Sequence, residues 1–172
     1  MSIKGGTIFE AGMIWDGVTK KMREEKWHEL KDERWIYEAG CWWDAITDKM
    51  RNERFKELKN LEYILKALEY WSGIDTDDVF EKILTSEIKS DFHDVFFYHG
   101  IYRYISDVNI YIHKSFYKTK NQVFEKLLSG EINHELFVKN YPVIREKMLL
   151  GPGLKEEILS EFDHFYENIS NN

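Results

Sequence analysis

The sequence predicts an all-α protein, a helical bundle of about six to eight helices. Only two of its 172 residues are proline, which is unusual for a turn-rich β fold. Apolar residues recur at alternating spacings of three and four over most of the chain, as helices with one buried face require. A segment with this spacing also occurs twice at the start of the chain. Hydrophobic residues make up 43% and charged residues 32%, which is typical of a folded globular protein.

The first third of the chain contains two copies of a 28-residue segment, at residues 8–35 and 36–63. The copies are identical at 14 of the 28 aligned positions. Among the remaining pairs are similar residues, such as Trp27 and Phe55. We interpret this likeness as an internal duplication of one helical segment.

The spacing within each copy favours a helix over a strand. Turning by about 100° per residue brings the apolar positions of the first copy within a stripe about 80° wide. These positions are Ile8, Ala11, Trp15, Val18 and Met22. The Asp16-Gly17 dipeptide is typical of hairpin turns and leaves an alternative, β-hairpin repeats followed by an all-α domain. The second copy has Asp44-Ala45 there, which suits a hairpin less well.

Two glycines are shared by the copies and have two interpretations. Inside a helix, Gly12 and Gly40 would each cost about 1 kcal/mol relative to alanine. They could allow an indole ring of the neighbouring copy to lie against the backbone, or the helix could begin only after Asp16 as its N-cap. Trp27 lies off the first apolar stripe, so a bend, or a second surface, is expected near residues 24–26.

From residue 61 the helical pattern continues without a further copy. Helices are expected at 61–71 before Gly73, at 75–88, at 91–116 as the longest, at 121–129 before Gly130, at 142–150 with Pro142 in its first turn, and at 154–170. The expected organisation is a repeat segment at 1–63 and a helical bundle at 64–172, which could also form one continuous domain. No linker composition marks a boundary between them.

Charge and cysteine content exclude or disfavour several functions. The formal net charge is −7, which disfavours binding to nucleic acid. No run of eighteen apolar residues is present, so no membrane span is expected. Cys41 is the only cysteine, and the N-terminal residues have no apolar signal core. These features together favour a cytoplasmic location.

The function that the sequence favours is a protein-interaction module, such as a small inhibitor, an immunity-type protein or a regulatory protein. Aromatic residues make up 16% of the chain, and no assembled catalytic set is evident, so an enzyme is disfavoured and no cofactor is expected. The expected partner is another protein of basic character, and a homodimer is a further option. The predicted partner-binding residues are Trp15, Trp42, Trp43, Trp27 and Phe55.

An alternative function is a metal-dependent helical hydrolase or a domain that binds a small ligand. His93-Asp94 resembles the His-Asp pair of metal-dependent phosphohydrolases, whose signature also needs an upstream histidine and a downstream aspartate. His99, Tyr102 and His113 share one face of the predicted helix and are candidates for binding a polar ligand. Solvated surface or a buried hydrogen-bond seam would explain the same polar face equally well.

Overall fold

The computed structural model describes residues 5–14, 17–87, 105–150 and 156–171. They form nine α-helices and one short 3-10 helix, and they contain no β-strand. The all-α prediction is therefore confirmed, and the alternative of β-hairpin repeats is wrong. The helices are α1 (Gly5–Ile14), α2 (Lys20–Glu29), α3 (Glu33–Trp42), α4 (Asp48–Phe55), α5 (Leu61–Tyr70), α6 (Val79–Leu84), α7 (Ile105–Ser129), α8 (His134–Leu150), the 3-10 helix (Glu156–Leu159) and α9 (Ser160–Ser170).

The chain divides into two compact units. The first unit comprises Met1–Ile74 and the second comprises Asp75–Asn172. Residue 63, where the sequence analysis ended its repeat segment, lies inside α5. The first unit therefore contains the two copies together with one further complete helix.

Each 28-residue copy contains a break between two helices, where the sequence predicted one helix with a later bend. In the second copy α3 ends at Trp42 and α4 begins at Asp48. The Thr47 hydroxyl accepts a hydrogen bond from the Met50 amide at 3.3 Å, and Thr19 does the same for Met22. A threonine at this position is a good N-cap, so it starts a new helix. The bend expected near residues 24–26 is wrong, because those residues lie inside α2.

The core of the first unit is rich in aromatic rings. Its buried residues include Trp27, Leu30, Ile36, Trp43, Phe55, Leu58, Ile64 and Trp71. The buried Arg54 joins two of the helices, because its Nη2 donates to the Leu30 carbonyl at 2.6 Å and its guanidinium lies over the Trp27 ring. This donor satisfies a carbonyl at the C-terminus of α2 that has no partner within the helix.

The second unit is organised around the short helix α6, which packs against α7 and α8. The Ser115 hydroxyl accepts from the Phe80 amide at 2.9 Å, near the beginning of α6. At its other end, the fully buried Asn140 amide donates to the carbonyls of Ile83, Leu84 and Ser86. Buried side chains of α7 and α8 thus satisfy both ends of a helix that is only six residues long.

The helices predicted at 91–116, 121–129 and 142–150 are joined or begin elsewhere in the structure, and the one predicted at 75–88 is the shorter α6. The structure joins the predicted end of one helix and the whole of the next into α7, while residues 91–104 lie outside the described range. Pro142 lies inside α8, so its predicted place in a first turn is wrong. The helix begins earlier because Asn133 accepts from the Glu135 and Leu136 amides and so provides a cap upstream. None of the described helices is long and apolar enough to cross a membrane.

Candidate functional site

Three ten-residue helices of the first unit stack on one another, and they provide its candidate site. Helix α3 packs against both α1 and α5. The three helices begin at residues 5, 33 and 61, so their starts are separated by 28 residues. Equivalent positions therefore recur at this spacing from one stacked helix to the next.

A glycine in one helix leaves room for a tryptophan ring of the next segment to pack against the backbone. A Cβ atom built on Gly12 would lie 2.5 Å from two ring atoms of Trp43, and one on Gly40 would lie 2.4 Å from Trp71 Cζ2. These distances are far below ordinary contact, so only glycine allows the indole to approach the backbone this closely. The structure therefore confirms the close-approach interpretation of both glycines.

An arginine also connects each segment to the next. Arg23 Nε donates to the Gly12 carbonyl at 2.7 Å, and its Nη1 donates to Asp44 in the following copy. Arg51 repeats this arrangement, with its Nε on the Gly40 carbonyl at 2.8 Å and its Nη1 on the Ser72 hydroxyl. Each guanidinium satisfies a carbonyl in the last turn of a stacked helix and fixes the neighbouring segment.

Trp71 belongs to a third, partial segment that the sequence analysis missed. Residues Ile64, Ala67 and Trp71 follow Ile36, Ala39 and Trp43 by 28 positions. Applying the same offset once more to the sequence would have found it. The glycine position is Leu68 in this segment, and α5 is the last of the stacked helices. That duplication produced these segments stays a prediction.

The five predicted partner-binding residues differ in their exposure to solvent. Trp27, Trp43 and Phe55 are buried in the first unit, where they form part of its core. Trp42 is 63% exposed, although it is adjacent to the buried Trp43. Trp15 lies outside the described residues. Trp42 is thus the member of this set whose ring a partner can reach in the structure.

The accessible surface around Trp42 is here called the ring face. It comprises Arg34, Tyr37, Glu38 and Trp42 of α3 and Glu62, Tyr63, Lys66 and Tyr70 of α5. Trp42 and Tyr70 are equivalent positions at the ends of their helices and are 63% and 58% exposed. The Trp42 indole Nε1 donates to Glu38 Oε2 at 3.2 Å, which fixes a carboxylate at the edge of an exposed ring.

Tyr37 lies at the centre of the ring face and connects α3 to α5. Its ring centroid lies 6.1 Å from that of Tyr63, 6.4 Å from that of Tyr70 and 6.3 Å from that of Trp71. Burial raises the pKa of the Tyr37 phenol, and a hydrogen bond with Cys41 raises it further. Burial also raises the pKa of the Cys41 thiol. Both groups are therefore neutral at physiological pH, and the charge of the ring face comes from its carboxylates and its two basic residues.

Both basic residues of the ring face lie over aromatic rings. Lys66 Nζ lies 5.5 Å from the Tyr63 ring centroid and 5.9 Å from that of Tyr37, and it donates to Glu62 Oε1 at 2.8 Å. The Arg34 guanidinium lies 4.8 Å from the Trp35 ring centroid. Lys66 therefore makes cation–π contacts with two rings of the ring face, whereas the ring under Arg34 is not part of it.

The residues of the alternative site in the second unit lie mostly outside the described part of the chain, so this site stays a prediction. His93, Asp94, His99 and Tyr102 lie outside the described residues. His113 is half-buried, and its Nε2 donates to the Met148 carbonyl at 2.9 Å, so this atom is already engaged. Within the described part of the chain, no group of three or more His, Cys, Asp or Glu side chains could hold a metal ion.

The second unit also has an open depression of about 360 Å³, lined by Arg145, Glu156, Glu157, Ser160, Asp163, His164 and Glu167. Three of its polar side chains pair with one another. Arg145 pairs with Asp163 and Glu156 at 2.7 Å each, and the Tyr141 hydroxyl donates to Asp163. These bonds raise the pKa of Arg145 and keep it charged. The depression is therefore explained by a structural ion-pair network.

Comparison with known proteins adds no identification. The chain matches no protein family, no curated protein sequence and no solved structure. Function is accordingly inferred from the geometry described above.

Proposed function

We propose that the first unit is a protein-interaction module that docks a partner on the ring face, in the manner of a small inhibitor, an immunity-type protein or a regulatory protein. The observation that supports this proposal is the pair of exposed rings, Trp42 and Tyr70, at equivalent positions of two stacked helices. Trp43 and Trp71, each the next residue in the chain, are buried. In both segments the first aromatic residue of the pair therefore faces outward and the next one faces inward.

The energetics of aromatic exposure favour a docking role. Tryptophan and tyrosine are enriched among residues that dominate binding energy, and each buries roughly 150–250 Å². Trp42 and Tyr70 are 63% and 58% exposed, so at roughly 25 cal/mol per Å² covering the exposed part of one ring stabilises a complex by about 2–4 kcal/mol before the costs of association. The rings also stand on packed helices, so little conformational entropy is lost when they are covered.

The carboxylate beside Trp42 favours a basic group on the partner. Glu38 lies directly beside the exposed Trp42 ring, whereas most of the formal charge of −7 belongs to the second unit, with −1 on residues 1–74 and −6 on residues 75–172. A carboxylate at a contact surface favours basic groups of a partner over acidic ones. The proposal therefore specifies a protein whose contact surface combines apolar and basic side chains.

Affinity capture from an extract of the source cells tests the proposal. The native chain is compared with the double variant Trp42→Ala/Tyr70→Ala and with the control Ile110→Ala/Tyr117→Ala, which removes two comparably exposed residues of α7. We expect quantitative mass spectrometry to find a protein retained by the native chain and by the control, and at least tenfold depleted with the ring-face variant. Equal retention by all three folded chains would contradict the proposal.

A further inference from the structure

The ring face contains one complete combination of an aromatic ring, a cation and a carboxylate. It consists of Tyr63, Lys66 and Glu62, in which the ammonium group lies over the ring and pairs with the carboxylate. Each contact strengthens the other, because the carboxylate orients the ammonium group and the ring replaces part of its hydration. The combination shows which chemistry this surface accommodates.

Trp42 and Glu38 supply two of these three groups. The indole is held at its edge by the carboxylate, through the 3.2 Å bond to Oε2, and the ring is 63% exposed. Among the described residues, no lysine or arginine lies over the Trp42 ring, and none forms an ion pair with Glu38. The flat side of the Trp42 indole and the second carboxylate oxygen of Glu38 therefore hold no cation from the described part of the chain.

We propose that Trp42 and Glu38 form a binding site for one lysine or arginine side chain of the partner, an inference that rests on the function proposed above. Arginine fits better than lysine, because its planar guanidinium stacks on an indole while donating to a carboxylate. The partner's cation takes the place over Trp42 that Lys66 takes over Tyr63.

Desolvation explains why the occupant is a cation. An apolar side chain placed on the Trp42 ring would also remove water from Glu38, and a buried carboxylate without a compensating partner is costly. A basic side chain covers the same ring and compensates the carboxylate at once.

Peptide selection on the full chain tests this site. Peptides are selected from a random displayed library, and the affinity of the best binder is measured by calorimetry. Each of its arginines is then replaced by citrulline, which keeps the shape and removes the charge. We expect one such replacement to weaken binding about fivefold or more, as cation–π and ion-pair contacts at an exposed site predict.

The variant Glu38→Gln should reproduce this loss and make the citrulline peptide bind as well as the arginine peptide. Glu10→Gln is the matched control, because Glu10 is the equivalent residue of α1 and is exposed, while the position equivalent to Trp42 is Ile14. We expect this control to change affinity less than twofold.

The outcomes separate the two proposals. Peptides that lose binding with Trp42→Ala but tolerate both citrulline and Glu38→Gln would overturn the cation site and leave the docking function standing. Selected peptides whose affinity is unchanged by Trp42→Ala/Tyr70→Ala would overturn both. Loss of affinity with citrulline and with Glu38→Gln, but not with Glu10→Gln, supports both.

Discussion

A single methyl group added at residue 40 should loosen the contact between α3 and the third segment. In Gly40→Ala the new Cβ would lie 2.4 Å from Trp71 Cζ2, 2.5 Å from Cε2 and 2.7 Å from Nε1. Ordinary contacts between such atoms are about 3.5–4.0 Å, so the ring must retreat by about 1 Å. The ring is held in place, because Trp71 is 5% exposed and its Nε1 donates to the Tyr37 carbonyl at 3.3 Å.

The opposing contributions give the expected size of this effect. Overpacking costs about 1–3 kcal/mol, and loss of the indole hydrogen bond costs about 1 kcal/mol. Alanine returns about 1 kcal/mol through its higher helix propensity. We therefore expect Gly40→Ala to lower the free energy of unfolding of the first unit by about 1–3 kcal/mol.

Urea unfolding followed by tryptophan fluorescence measures this change. All six tryptophans lie within residues 1–74, so their emission reports on the first unit. Gly17→Ala is the control, because a Cβ there meets nothing within 4 Å, and we expect a change within about 0.5 kcal/mol. The reasoning is refuted if Gly40→Ala is as stable as the native chain, or more stable.

Three further predictions concern groups elsewhere in the two units. Arg51→Ala should lower the free energy of unfolding of the first unit in urea by about 1.5–3 kcal/mol, because the Gly40 carbonyl loses a charged donor. The control Lys49→Ala, on the exposed face, should change it by less than about 0.5 kcal/mol. Asn140→Ala should destabilise the second unit by about 1–3 kcal/mol, measured by circular dichroism, since buried carbonyls at the end of α6 lose their donor; a change under about 0.5 kcal/mol would contradict this. Burial and the Asp163 bond raise the pKa of Tyr141 above its ordinary value of 10.0. Above pH 10 the unfolded chain releases this proton and the folded chain keeps it, so the free energy of unfolding should fall as the pH rises. Unfolding curves at pH 9 and 10.5 should show a smaller fall for Tyr141→Phe than for the native chain.

The helical class and the glycine contacts could be predicted from the sequence for a physical reason. Alternating spacings of three and four fit only a helical turn, and a glycine shared by two helical copies has a cost that needs a compensating contact. The indole of Trp43 on Gly12 is that contact. The helical class and the positions of the two glycines depend only on the spacing of residues along the chain, which can be read directly from the sequence.

The orientation of adjacent aromatic residues could be predicted only in part: the apolar stripe contains Trp15, the counterpart of Trp43, but it does not show where each helix ends. Trp42 and Trp43 are neighbours, so which ring is buried depends on where α3 ends and how the chain turns before Thr47. The stripe from Ile8 to Met22 continues across the corresponding break, so the sequence pattern did not show it. One signal was present: Trp43 has an identical counterpart in Trp15, whereas Trp42 is paired with Ile14. The shared residue became core and the differing one became surface.

The docking role of the ring face is tested most directly by the indole signals of the native chain in a nitrogen–proton correlation spectrum. Single Trp→Phe variants assign the signals, and the selected peptide is then added to saturation. We expect the Trp42 signal to shift, while those of the buried Trp27 and Trp43 stay in place. A bound peptide that leaves the Trp42 signal unchanged would contradict docking on the ring face.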